Sequence, residues 1–125
     1  MKIHFEDERP IFLQIAEGIE DGILTGAYPE EEQVPSTTEI SVTYKINPAT
    51  ALRGVNRLVE EGILYKRRGL GMFVAAGATE KVKAKRKAAF SDEYVMPMTK
   101  EARRLGFTRG ETVVLLERSF DDEQD

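Results

Sequence analysis

The sequence predicts a mainly α-helical protein with one small β-hairpin, and three observations support this prediction. From Ile11 to Ile23, isoleucine recurs at every fourth position, which is the spacing of one helix face. Two helix start signals, at Ser36 and Asn47, follow in close succession. Beyond them, two short apolar runs flank the glycine-containing turn 67–71, which is the pattern of a hairpin.

The first helix is expected from Pro10 to about Gly26. Phe12, Ala16 and Leu24 widen the isoleucine stripe into an apolar face. Proline can open a helix and glycine can close one, so both ends carry a suitable residue. A loop rich in Glu and Pro follows as far as residue 35.

The second helix is expected from about Thr37 to Tyr44. Ser36 and Glu39 have the Ser-x-x-Glu form of a capping box, in which each side chain binds the other residue's backbone N–H. Ile40 and Tyr44 should face inward. The turn that follows should place Ile46 in the core.

The third helix is expected at 48–61, because Asn47 is a suitable N-cap and Pro48 a suitable first residue. Gly62 is a suitable C-terminal glycine. One face of the helix is apolar, and it comprises Ala51, Val55, Leu58 and Val59.

Two short strands, 63–66 and 72–75, should form the hairpin. Gly69 and Gly71 suit a turn that needs positive φ angles and a close approach to a neighbouring backbone. Helix, tight turn, helix and hairpin together describe a winged helix-turn-helix, a fold that presents one helix to the DNA major groove.

Composition and charge exclude several classes of protein. There is no cysteine, and His4 is the one histidine, so we expect neither a metal site nor a cofactor. No Gly-rich phosphate loop or nucleophile–base pair is present, so we expect no catalytic site. The net charge is −4, yet residues 36–75 are locally basic. The lack of a signal peptide or a long apolar run predicts a cytoplasmic protein.

The chain should divide into a DNA-binding domain, 1–76, and a helical dimerisation segment, 77–125, that ends in an acidic tail. Pro97 should break or kink the helix near Met96. Thr108 begins a second capping-box pattern and a last helix. The segment is too small to bury a core alone, so a second copy is its expected partner. The stripe expected at that dimer interface is Phe90, Tyr94, Met98, Ala102 and Leu105.

Several motifs occur in the order and spacing of the winged-helix head of GntR-family bacterial transcription regulators, which this chain resembles over about residues 10–75. The motifs are Pro10-Ile11-Phe12-x-Gln14-Ile15, Pro35-Ser36-Thr37, Asn47-Pro48-x-Thr50, Leu58-x-x-Glu61-Gly62-Ile63-Leu64 and Gly69-x-Gly71-x-Phe73-Val74. The short tail, with its Pro97 break and residues 101–106, resembles the YtrA-type subfamily. The resemblance implies a homodimer that binds an inverted-repeat operator, usually as a repressor.

The sequence departs from this family at three positions of the head. Thr38 stands where an arginine usually contacts DNA, Leu70 where a basic residue often lies between the wing glycines, and Ala49 where YtrA-type heads carry Asn. Each departure removes one contact, so the operator or the affinity should differ from the family's usual one.

The expected DNA contacts come from the start of the second helix, the reading helix 48–61 and the wing 67–71. They are Ser36, Thr37, Thr38, Asn47, Ala49, Thr50, Arg53, Arg68, Gly69 and Gly71. Ser36 and Asn47 are first of all caps, and the two threonines either bind phosphate or face solvent. Arg53 is the main candidate for a base or phosphate contact, whereas Arg57 could pair with Glu60 or Glu61.

The basic run 81–87 is read as a solvated helix face rather than a DNA arm. The overall expectation is a sequence-specific transcription regulator, with double-stranded operator DNA and a second copy as partners. Whether a small-molecule effector binds is left open. The alternative is a dimeric adaptor whose winged head binds a protein.

Overall fold

The computed structural model describes residues 1–122 of the chain. The elements in chain order are α1 (Ile11–Thr25), α2 (Thr37–Tyr44), α3 (Pro48–Glu60), β1 (Leu64–Arg67), β2 (Gly71–Val74), α4 (Ala78–Phe90), a π-helical turn (Ser91–Val95), α5 (Met96–Arg104) and α6 (Arg109–Asp122). They form two compact units, Met1–Lys85 and a second that begins at Arg86. The prediction of a mainly helical protein with one hairpin is confirmed.

The core of the first unit forms where α1 packs against α3 and α2 packs against α3. Ile15 and Ile19 of the predicted stripe are completely buried there. Burial of an isoleucine side chain contributes about 1.5–3 kcal/mol. Ile46, in the turn between α2 and α3, is also buried, as its position between the two helices predicts.

The helix-turn-helix starts where the local sequence predicts. The Ser36 hydroxyl accepts the N–H of Glu39 at 3.0 Å, and the Glu39 carboxylate accepts the N–H of Ser36 at 3.2 Å. At α3, the Asn47 side chain accepts the N–H of Ala49 at 2.8 Å. Since both starts are capped within their own segment, each helix has a defined first residue.

The wing is an antiparallel pair in which Leu64 lies opposite Val74 and Arg67 opposite Gly71. Both strands lie within one residue of the predicted ranges. The loop before α2 adds further pairing to β2, because the N–H of Val34 donates to the carbonyl of Met72 at 3.0 Å. β2 is therefore paired with β1 on one side and with the loop before α2 on the other.

The first half of α4 belongs to the first unit, because Ala78 and Val82 are buried in its core. The division between the units therefore follows Lys85, whereas the sequence placed the boundary after residue 76. The Glu30 carboxylate accepts the N–H groups of Gly77 and Thr79 at 2.7 and 3.2 Å, so it caps the start of α4. These hydrogen bonds lower the pKa of Glu30 below its usual value.

A lysine of α4 holds that helix against α1 and the end of α3. The ammonium group of Lys85 lies 2.7 Å from a carboxylate oxygen of Glu20 and 3.0 Å from one of Glu61. The Glu20 side chain is only 2 % exposed. A carboxylate at that depth requires cationic or hydrogen-bonding partners, and Lys85 supplies one of them.

In the second unit, Pro97 lies in the first turn of α5 and follows the π-helical turn Ser91–Val95. The proline therefore coincides with a change of helix type near Met96, where the sequence predicted a break or a kink. A π-helical turn widens the hydrogen-bond ladder where proline cannot donate to it. The capping box at α6 is present, since Thr108 and Glu111 bind each other's N–H groups.

The acidic tail is described only in part. Asp121 and Asp122 belong to α6, and the rest of the predicted tail lies outside the described residues. Within the described part of the chain, no helix has both the length and the apolar character needed to cross a membrane.

Candidate DNA interface

The first turns of α3 present an open face to solvent. Ala49 and Arg53, which are one helical turn apart, are both exposed, and Thr50 is half-buried. The opposite face is anchored, because Ala51 and Val55 are completely buried. A helix that is fixed along one side and bare along the other is suited to entering the major groove.

Arg53 has a defined position on this face. Its guanidinium carbon lies 3.8 Å from the centre of the Phe12 ring of α1, which places it over the ring. Arg57 lies one turn further on and is exposed. Among the described residues it makes no ion pair with Glu60 or Glu61, and Glu61 is paired with Lys85 instead.

The tip of the wing depends on two glycines. Gly69 and Gly71 have φ angles of 77° and 117°, so both lie in the region that glycine adopts without strain. A Cβ atom on Gly71 would lie 2.6 Å from the amide nitrogen of Gln33, which donates to the Leu70 carbonyl at 2.7 Å. The predicted need for positive φ is confirmed, and the close neighbour is the side chain of Gln33 rather than a backbone.

The basic side chains of the wing differ in their surroundings. Arg67 has its guanidinium 5.1 Å from the centre of the Phe73 ring on the paired strand. Arg68 is exposed in the turn between the strands, next to Gly69. Arg68 is therefore the wing cation that the described contacts leave most available to DNA.

At the start of α2, the Ser36 hydroxyl is occupied by its capping hydrogen bond. Thr37 is half-buried and Thr38 is exposed. Of the positions that depart from the family pattern, Leu70 is also exposed, at the tip of the wing. All three departures, Thr38, Ala49 and Leu70, thus lie on the solvent-facing surface of the head.

The predicted dimerisation stripe lies in the second unit. Phe90, Tyr94, Met98 and Leu105 are exposed in the single chain, and the rings of Phe90 and Tyr94 are in contact, with centres 5.5 Å apart. Ala102 is half-buried.

The basic run of α4 makes contacts within the protein. Lys81 donates to the carbonyl of Gly62 at 3.3 Å, and Lys83 lies 3.8 Å from Glu80 on the same helix. Lys81 and Lys83 are nevertheless exposed, as predicted for a solvated face, whereas Lys85 is half-buried in its bridges.

Sequence reasoning missed two residues beside the proposed interface, Phe12 and Gln33. The sequence pattern assigns Phe12 to the apolar stripe and to the first family motif, and Gln33 to the loop before α2. Their partners, Arg53 and Leu70, are distant in sequence, so no local pattern could pair them. A signal was nonetheless available for Phe12, because an aromatic residue at the edge of an apolar stripe can stack with an arginine.

Known proteins with similar sequences are transcription regulators. The family described as bacterial regulatory proteins, gntR family, matches residues 12–74. The HTH-type transcriptional regulator YhcF of Bacillus subtilis is 30 % identical over 89 % of this chain and 90 % of its own length. The HTH-type transcriptional repressor NagR of Bacillus subtilis is 32 % identical over 60 % of this chain, which corresponds to 31 % of NagR.

Solved structures show the same fold. A GntR-family regulator from Bacteroides thetaiotaomicron is 35 % identical, with a TM-score of 0.70 over 92 % of this chain and 99 % of that one. YtrA from Sulfolobus acidocaldarius matches over the full length of both chains, with a TM-score of 0.58 and 21 % identity, so the likeness is one of fold.

The DNA-binding domain of AraR, solved in complex with operator ORX1, has a TM-score of 0.55 and 25 % identity over 60 % of this chain and 96 % of its own. The family and these relatives are regulators rather than enzymes. The matched family, the relative that extends along nearly the whole chain and the shared fold lead to one conclusion: this chain belongs to the GntR family of bacterial regulatory proteins.

Proposed function

We propose that the protein is a sequence-specific transcription regulator, acting as a repressor in the cytoplasm, that binds an inverted-repeat operator as a homodimer. The observation that carries this proposal is the solvent-facing start of α3, where Ala49, Thr50 and Arg53 project from a helix whose other side is buried. In this proposal α3 enters the major groove, and the wing, with Arg68 beside Gly69, lies in or near the minor groove.

The relatives support this assignment. NagR is named as a transcriptional repressor, and the AraR domain was solved on its operator. Residues 36–75 carry a net positive charge, although the chain as a whole is acidic. The weak overall attraction between the protein and DNA limits binding to unrelated sequences, so this charge distribution favours binding at a specific site. The first turn of α2, from Ser36 to Thr38, then lies ready to contact a phosphate.

Binding can be tested by fluorescence anisotropy on the promoter DNA of the protein's own gene, at two salt concentrations. We expect a specific site that binds at least about 10³-fold more tightly than scrambled DNA, with a steep dependence on salt. Arg53→Ala should weaken operator binding by about 5- to 150-fold. Lys83→Ala removes the same charge from the outer face of α4 and should leave specific binding nearly unchanged.

Equal, weak binding of the wild-type protein to operator and scrambled DNA would contradict the proposal. That result would favour the adaptor alternative, in which the winged head binds a protein. A loss on Arg53→Ala that is uniform across sequences, with a salt slope reduced by about one, would assign Arg53 to a phosphate rather than to a base.

The homodimer proposal rests on the second unit. None of the residues in the π-helical turn, α5 or α6 is buried in the single chain. Large apolar side chains are nevertheless frequent in this unit, and the exposed ones are Phe90, Tyr94, Met96, Met98, Leu105, Phe107, Val113, Val114, Leu115, Leu116 and Phe120. So much exposed apolar surface is unfavourable in water, and a second copy of the same unit would cover it symmetrically.

Analytical ultracentrifugation of the full chain tests the dimer. Met98→Glu should shift the protein toward monomer, because it places a charge within the apolar stripe. Lys100→Glu introduces the same side chain about 200° further around α5 and should leave the dimer intact. A wild-type chain that sediments as a monomer at all concentrations would exclude this interface.

A further inference from the structure

Phe12 and Arg53 come from different helices and meet at the edge of the proposed reading face. The guanidinium carbon of Arg53 lies 3.8 Å from the centre of the Phe12 ring. Phe12 is a half-buried residue of α1, whereas Arg53 is exposed. The ring therefore provides a fixed support for an otherwise mobile side chain.

The contact is possible because α1 and α3 approach closely at Gly54, the residue after Arg53. A Cβ atom on Gly54 would lie 2.7 Å from the carbonyl oxygen of Phe12 and 3.0 Å from Ile15. The missing side chain lets the start of α1 lie directly against α3. The position of Phe12 relative to Arg53 is thus set by backbone packing in the core.

Stacking on a ring occupies a face of the guanidinium and leaves its edge free. All five N–H donors of arginine lie in the guanidinium plane, so stacking does not consume them. Among the described residues, none accepts a hydrogen bond from the Arg53 side chain. The group is held in place while its whole hydrogen-bonding capacity remains available to a partner.

The surroundings point to where that partner lies. A groove of about 440 Å³ runs along the outer face of α3, and it is lined by Phe12, Ala49, Leu52, Arg53, Asn56, Arg57 and Glu60. Ala49, one helical turn before Arg53, carries no polar side-chain atom, so its side chain cannot form a hydrogen bond with DNA. Arg53 is the guanidinium nearest the start of the reading helix.

We propose that Phe12 is a positioning residue for DNA recognition: it holds the guanidinium of Arg53 edge-on toward an acceptor of the operator. This inference rests on the proposed function. The acceptor is a pair of atoms that a guanidinium edge can bind together, such as a guanine edge or two phosphate oxygens. Holding the arginine before DNA arrives lowers the entropy lost on binding.

The test is a double-mutant cycle in the full chain, measured by anisotropy on the promoter DNA of its own gene and on scrambled DNA. Phe12→Leu keeps an apolar side chain and removes the ring, whereas Phe12→Tyr keeps the ring. We expect Phe12→Leu to weaken operator binding by about two- to fivefold and Phe12→Tyr to remain close to wild type. In an Arg53→Ala background, Phe12→Leu should cause no further loss.

Thermal unfolding of every variant provides a separate measurement of folding. If Phe12→Leu weakened binding by the same factor with and without Arg53, Phe12 would have a structural role only, and the inference would be overturned. Near wild-type operator binding by Phe12→Leu would overturn it as well. If the wild-type protein bound operator and scrambled DNA equally, the proposed function would fail first, and that result is distinct from a failed cycle.

Discussion

Gly54→Ala tests the closest packing in the head. Gly54 lies inside α3, where alanine is a better helix former than glycine, so the substitution would stabilise an isolated helix. In the folded protein, the new Cβ atom would lie 2.7 Å from the Phe12 carbonyl oxygen and 3.0 Å from two carbon atoms of Ile15. Two opposed effects therefore decide whether the substitution raises or lowers the free energy of unfolding.

The steric cost should exceed the gain in helix propensity. The gain is about 1 kcal/mol per glycine replaced in a helix interior. Overpacking a core costs about 1–3 kcal/mol and lies at the upper end when the obstructing atom cannot rotate away. The carbonyl of Phe12 is a backbone atom, so relief requires α1 to shift relative to α3. We expect a net loss of about 1–2 kcal/mol in the free energy of unfolding.

Urea denaturation followed by circular dichroism measures this loss, and a fall of about 4–16 °C in melting temperature should accompany it. Gly110→Ala is the control, because the nearest atom to its new Cβ would be 4.0 Å away. That variant should be as stable as wild type or slightly more stable. If Gly54→Ala matched or exceeded wild-type stability, the helices would separate at no cost, and the argument from close packing would be refuted.

Three further predictions concern the contacts that hold the head together. Lys85→Met should lower the free energy of unfolding by about 1–2 kcal/mol, which is less than for a fully buried pair because Lys85 is 37 % exposed. Lys83→Met, on the exposed side of α4, should change it little. Equal effects of the two substitutions in urea denaturation would contradict a specific role for the Glu20 bridge. The pKa of Glu30 is lowered in the folded protein, so its stabilising effect is present above the usual pKa of 4.5 and is lost as the pH falls through the lowered pKa. Glu30→Gln should therefore make the urea midpoint less sensitive to acid. An unchanged pH profile would count against the cap of α4. Ser36→Ala removes one half of the capping box and should lower the free energy of unfolding by about 1 kcal/mol, as measured by chemical denaturation. An unchanged free energy of unfolding would mean that water replaces the Ser36 hydroxyl at the Glu39 N–H.

Much of the head could be predicted from the sequence because its signals are local. The caps at Ser36 and Asn47 join groups that are two or three residues apart, so each start can be read without knowing the fold. The isoleucine stripe of α1 is likewise a property of one segment, since its spacing matches the helix period. The assignment of α3 as the proposed reading helix rests on its place between α2 and the wing.

The candidate site was predicted less completely. Ala49, Thr50 and Arg53 lie on the open face of α3, as its helical period predicts. That Arg53 stacks on Phe12 was not predicted, because α1 and α3 had first to be brought together at Gly54. The boundary predicted after residue 76 rests on composition alone. The burial of Ala78 and Val82 in α4 depends on a core that other segments form, so composition does not reveal it.

The helix starts, the glycines of the wing and the family of the chain can be read from the amino-acid sequence, because each depends on residues that are close along the chain. The way in which these parts are joined depends on the tertiary fold. Lys85 reaches Glu20 across 65 positions of sequence, and Gln33 reaches the wing across 37. Such contacts form once hydrophobic burial has placed distant segments side by side, so local patterns do not specify them.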